Sequence, residues 1–108
     1  MTVRQLAETV GFLPLLLPDG EREVNGAYCG DLLSWVMGRA ESSNVWITIM
    51  SNINVIAVAT LSDVSCVVLA EGVMLDADAE KAAKDKGINI LSSKKSAYEI
   101  AVALGKVI

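Results

Sequence analysis

Val45-Trp46-Ile47-Thr48-Ile49-Met50, a break at Ser51-Asn52, an apolar run over residues 54–61, and then Ser65-Cys66-Val67-Val68-Leu69-Ala70 decide the fold. The first and last stretches are short, almost continuously apolar and rich in β-branched residues, as expected of strands buried on both faces. The middle stretch is rich in Ala and Val and is preceded by Asn52 and Asn54, either of which can cap a helix. Read together they form a strand–helix–strand unit, which requires a crossover and a parallel pair.

The same alternation continues on both sides. Upstream, Gly30-Asp31 opens a helix with Asp31 as the expected N-cap, and Leu32, Leu33, Val36, Met37 and Ala40 form its apolar stripe. Before it, residues 21–29 have strand character interrupted by Asn25-Gly26. Residues 12–17 are apolar, but Pro14 cannot donate to a ladder, so they read as an edge or connecting segment closed by the Pro18-Asp19-Gly20 turn. Thr2 caps a first helix that Gly11 ends. Downstream, Asp76 caps a helix over residues 77–86 with Glu80-Lys84 and Lys81-Asp85 pairs on its exposed face, and Gly87 stops it. Ile88-Asn89-Ile90-Leu91 is a short strand ended by Ser92-Ser93, and Ser96 caps a last helix that Gly105 ends. The predicted fold class is α/β, one domain over residues 1–108, with a mainly parallel central sheet and helices on both faces.

Composition limits what such a domain does. The 108 residues are 53% apolar and 20% charged, enough to fill a core. Lys and Arg total 9 against 13 Asp and Glu, a net charge of −4, which offers no footprint for DNA or RNA and no basic segment for an anionic membrane. No apolar run approaches the ~20 residues that span a bilayer. The start lacks the form of a signal peptide, so a cytoplasmic location is expected. Cys29 and Cys66 are expected to be reduced core residues, and with no histidine in the chain a zinc site is close to excluded. No cofactor motif is present.

In a parallel sheet, ligands bind outside the carboxyl ends of the strands. Here those ends are Gly30-Asp31, Ser51-Asn52, Glu71-Gly72 and Ser92-Ser93. The candidate ligand-binding residues are Asp31, Ser34, Ser51, Asn52, Asn54, Glu71, Gly72 and Ser92, set against the plainer reading that they are caps and turns. No serine or cysteine has a histidine to activate it, and no phosphate-loop or nucleophile-elbow string occurs. Trp35 lies off the main stripe of its helix, as core edge or as an exposed anchor, whereas Trp46 reads as core.

Gly30-Asp31-Leu32-Leu33-Ser34, Trp46-Ile47-Thr48-Ile49, Asn54-Val55-Ile56-Ala57-Val58-Ala59, Leu69-Ala70-Glu71-Gly72 and the run Ala82-Ala83-Lys84-Asp85-Lys86-Gly87-Ile88-Asn89-Ile90-Leu91-Ser92-Ser93 resemble the DRTGG domain. That family is similar to the amino-terminal domain of HPr kinase and accompanies CBS-domain pyrophosphatases. The resemblance implies a non-catalytic regulatory or sensory module that self-associates and binds a partner protein or small ligand. The competing reading is a small enzyme or phosphoacceptor using Asp31 or a strand-end serine. The chain departs from the family pattern in having Asn52-Ile53 in place of an Asp-Arg pair and Ala70-Glu71-Gly72 in place of Thr-Gly-Gly. Loss of an arginine and gain of a glutamate there disfavour anionic ligands. The high apolar fraction also leads to an expected homodimer, with residues 12–17, the face around Trp35, and Ile100, Val107 and Ile108 as outlets for apolar surface.

Overall fold

The computed structural model describes residues 1–108. Its elements run α1 (Val3–Val10), β1 (Leu13–Leu16), β2 (Ala27–Cys29), α2 (Leu33–Arg39), β3 (Val45–Thr48), α3 (Ile53–Ser62), β4 (Cys66–Leu69), α4 (Ala77–Lys86), β5 (Ile90–Ser92) and α5 (Ala97–Gly105). The sheet order is β1-β5-β4-β3-β2. Strands β2 to β5 are parallel, and β1 closes one edge antiparallel to β5. Each crossover from β2 to β5 steps in the same direction. Right-handed connections therefore put α2, α3 and α4 on one face and leave the other to α1 and α5.

The strands show why their sequences are continuous apolar runs. Every residue of β3, β4 and β5 is buried. Alternate side chains serve two cores: Val45, Ile47, Cys66, Val68 and Leu91 pack with α1 and α5, while Trp46, Val67, Leu69 and Ile90 pack with α2 to α4. Pro14 sits on the edge strand opposite Leu91, where its missing N–H costs no ladder bond, and the register shifts between Pro14 and Leu16.

Caps at three helix starts follow the sequence reading. Thr2 and Ser96 each form a reciprocal capping box, and Asn52 accepts from the Asn54 N–H. Gly11 and Gly87 end α1 and α4 with positive φ. The two i,i+4 ion pairs of α4 are present, Lys81–Asp85 at 2.9 Å and Lys84–Glu80 at 3.7 Å.

Several expectations are corrected. Asp31 does not cap α2; Leu32 occupies that position with no side-chain bond, because the Asp31 carboxylate is drawn to the end of β3 instead. Asp76 stands at the N-cap of α4 but makes no capping bond. The apolar stripe of α2 is only partly inward: Val36 is buried, whereas Leu32 and Met37 are more than half or half exposed. Ile100 is buried under the sheet and offers no outlet, and Phe12 is buried too. Gly105 is the last residue of α5, with Lys106 as its cap. Trp35 is 52% exposed, with the Arg39 guanidinium 3.8 Å over its ring.

Cys29 is exposed on edge strand β2 and is not a core residue, while Cys66 is fully buried; both are free. Partial desolvation against the strand, and secondarily the Asp31 charge, raise the Cys29 thiol above its ordinary value. Burial pushes the Cys66 thiol up to about 12. Thiolate, the reactive form, is therefore scarce at both positions at neutral pH. A thiol reagent should label one cysteine in the native protein, slowly and faster as pH rises, and two after denaturation under non-reducing conditions. Two rapidly labelled thiols in the native state would contradict the packing of β4.

Candidate functional site

The carboxyl ends of β2 to β5 lie along one edge of the sheet, and the structure divides the candidate residues between two places. At the β2/β3 end the polar groups bond to one another. The Asp31 carboxylate accepts from Thr48 Oγ1 at 2.7 Å and from the Ile49 N–H at 3.0 Å, and the Met50 N–H donates back to Thr48 Oγ1. This splints the exits of β2 and β3 together. Asn52 Oδ1 caps α3. Ser51 Oγ donates to Asp76 Oδ1 at 3.4 Å while the Asp76 N–H donates to the Ser51 carbonyl, tying the two following helix starts together. Ser34 and Asn54 are exposed on the first turns of α2 and α3.

The β4/β5 end is built differently. Ala70, Glu71, Gly72 and Val73 form a tight turn closed by the Val73 N–H on the Ala70 carbonyl, with φ of +60° at Glu71 and +69° at Gly72. Positive φ at both central residues marks a type I′ turn. Glycine takes that conformation freely, but a glutamate there costs on the order of 1 kcal/mol or more. The cost is offset by bonds: the Glu71 N–H donates to the Lys95 carbonyl, the Gly72 N–H to the Ser93 carbonyl, and the Ser93 N–H to the Leu69 carbonyl. The turn thus clamps the segment Ser93-Lys94-Lys95, and the Lys95 N–H is further fixed on Ser93 Oγ.

Beside this clamp opens a cleft of about 390 Å³. Ser92, Ser93, Lys94, Lys95 and Gly72 form its polar side, and Leu13, Leu15 and Met74 its apolar side. Edge strand β1 supplies Leu13 and Leu15 of the apolar wall, so the cleft depends on β1 returning alongside β5. Lys94 and Lys95 are exposed and take part in none of the chain's five ion pairs. The amino end of α5 lies next to them, but Glu99 already accepts from the Ser96 N–H and hydroxyl there. The two lysines, rather than the helix end, carry the positive charge of the cleft, and the serines add hydroxyl donors.

A second hollow of about 440 Å³ runs between α3 and α4, lined by Ile53, Ile56, Ala57, Thr60, Leu61, Ala82 and Lys86. It has few polar groups to orient a small polar ligand.

Of the candidate residues, Gly72 and Ser92 line the polar cleft, and Glu71 belongs to the turn that shapes it. Asp31, Ser51 and Asn52 lie elsewhere and are engaged in internal bonds. Sequence reading missed Lys94 and Lys95. The visible signal was a Lys-Lys pair set between a strand-ending Ser-Ser and a capping serine. The expectation that this rim disfavours anions weighed Glu71 and a missing arginine and left these two cations out.

No protein-family model and no curated protein sequence matches the chain. Its structure is similar to the crystal structure of the CBS and DRTGG domains of the regulatory region of Clostridium perfringens pyrophosphatase, complexed with the activator diadenosine tetraphosphate. The TM-score is 0.71 at 10% sequence identity, over 95% of this chain and 45% of that one. The chain therefore spans less than half the length of that regulatory region, and what the two share is the fold, a DRTGG-like α/β module.

Proposed function

We propose that the chain is a non-catalytic regulatory module that binds a small phosphorylated ligand in the β4/β5 cleft and associates with itself. The observation that carries this reading is the pair of lysines without ion partners, set beside two serines in a cleft at the carboxyl end of the sheet. Lysine ammonium groups and hydroxyls are suited to phosphate oxygens, and the apolar wall suits the flat or aliphatic remainder of a metabolite. The fold likeness supports the reading, since that regulatory region was crystallised with a phosphate-rich nucleotide. A phosphoacceptor or catalytic role for Asp31 has less support, because both of its bonds fix β2 against β3 and Thr48 is buried.

Thermal unfolding in the presence of paired compounds tests this. A phosphorylated metabolite or nucleotide at 100 times its Kd should add about 2.7 kcal/mol of stability, its dephosphorylated counterpart should add far less, and rising salt should erode the difference. Stabilisation by uncharged compounds alone would overturn the choice of ligand class.

A further inference from the structure

Helix α3 is apolar on the side that faces the core and carries an apolar row on the side that faces away, next to the exposed Asn54 and Thr60. Its ten residues contain no charge, and Ile53, Ala57 and Leu61, at successive spacings of four, are all exposed, Leu61 at 75%. An exposed apolar row on a helix without charges marks a surface for contact with another protein surface. Helix α4 runs parallel to α3, since both cross over between parallel strands, and the hollow between them has Ile56 in its lining and Ala82 and Lys86 on its α4 side.

The charges of α4 say what covers this surface. Glu80 is paired with Lys84 and Lys81 with Asp85, within the helix. Asp78 and Lys86 are exposed and have no ion partner; the Asp78 carboxylate accepts only from the neighbouring Ala79 N–H. They lie four residues before and four residues after Ala82, on its side of the helix. The two helices therefore carry the same arrangement, Ile53-Ala57-Leu61 and Asp78-Ala82-Lys86, each a small residue flanked at equal distance by complementary groups.

We infer that the α3/α4 face is a self-complementary interface that receives a second copy of this chain about a two-fold axis passing by Ala57 and Ala82. That axis, perpendicular to the helices, lays each helix antiparallel on its counterpart. It brings Ile53 over Leu61 of the second copy and Asp78 over Lys86 of the second copy, while the two alanines let the backbones approach closely. A closed two-fold contact requires such self-complementarity. The inference rests on the reading that the chain self-associates and adds the face by which it does so.

Sedimentation equilibrium on the full chain decides it. The wild type should sediment at twice 11.4 kDa at micromolar concentration. Asp78→Lys and Lys86→Asp should each weaken association about tenfold or more by placing like charges opposite one another. The doubly exchanged variant, which restores opposite charges across the axis, should recover to within a few fold of wild type. Leu61→Arg, at an exposed position that the fold does not use, should give monomer with an unchanged far-ultraviolet spectrum. A wild-type monomer over the whole range would overturn self-association itself. A dimer that all four variants leave intact would overturn this face alone.

Discussion

Replacing Trp46 with alanine is expected to lower stability by about 3–5 kcal/mol, the usual cost of emptying a large aromatic site in a core. Trp46 is wholly buried on β3, one strand in from the β2 edge, and packs on the α2–α4 side of the sheet. Its indole N–H donates to the Gly30 carbonyl at 2.9 Å, so the substitution also removes a bond that fixes the exit of β2. Against a total of ~5–15 kcal/mol for a domain of this kind, the loss is a large fraction, and Tm should fall by on the order of 15 °C. Trp35→Ala is the control: that ring is half exposed and its main partner is the Arg39 guanidinium, so about 1 kcal/mol or less should be lost. Denaturant unfolding of both variants measures the contrast. Equal effects would mean that Trp46 is not the centre of the core between the sheet and α2 to α4.

Converting both Lys94 and Lys95 to alanine is expected to weaken binding of a phosphorylated ligand by about 100-fold, taking each charged hydrogen bond as worth ~1.5 kcal/mol or more. Because both side chains are exposed and without ion partners, the folded chain should keep its stability to within about 0.5 kcal/mol. Isothermal titration with the best compound from the thermal screen reads the first quantity, and thermal unfolding without ligand reads the second. Ser93→Ala acts on both at once, since the Ser93 hydroxyl also holds the Lys95 N–H. It should give a smaller loss of affinity and a measurable loss of stability. Unchanged affinity in the double lysine variant would place the ligand elsewhere.

The parts of the fold that sequence disclosed are those governed by local rules. Val45–Thr48 and Cys66–Leu69 are legible because a strand buried on both faces has no solvent side to mark with polar residues. Thr2, Asn52 and Ser96 are legible as caps because each bonds within its own first turn. Asp31 misled for the opposite reason. Its side chain had a choice between its own helix and the hydroxyl and amide of Thr48 and Ile49, seventeen or eighteen positions away, and only the parallel pairing of β2 with β3 brings those within reach. The same holds for Asn89, which the sequence placed simply in a short strand. Folded, its amide bonds to both backbone groups of Asp19 and to the Ser65 carbonyl, and so fastens the early turn to the start of β4.

The candidate site divides along the same line. Ser92 and Gly72 were marked by their position at strand ends, a rule of topology that holds without coordinates. Lys94 and Lys95 gain their place at the site only because β1 closes over β5 and the Glu71-Gly72 turn clamps their backbone. Asp63 ends α3 in the left-handed region where glycine would be expected; it is held there by Ser42 and Arg22, whose hydrogen bonds keep its carboxyl below the usual carboxylate range. None of these three partners is near another in the sequence.

The central claim, that a phosphorylated small molecule binds at the β4/β5 cleft, is tested most directly by titrating such a compound into isotope-labelled protein and following the backbone amides by nuclear magnetic resonance. The expected result is that Gly72, Ser93, Lys94, Lys95 and the β1 residue Leu15 shift in a saturable way, while Asp31, Ile49 and Asn54 at the far end of the sheet edge do not. Saturable shifts confined to the Asp31 end, or no saturable shift with any phosphorylated compound, would contradict it.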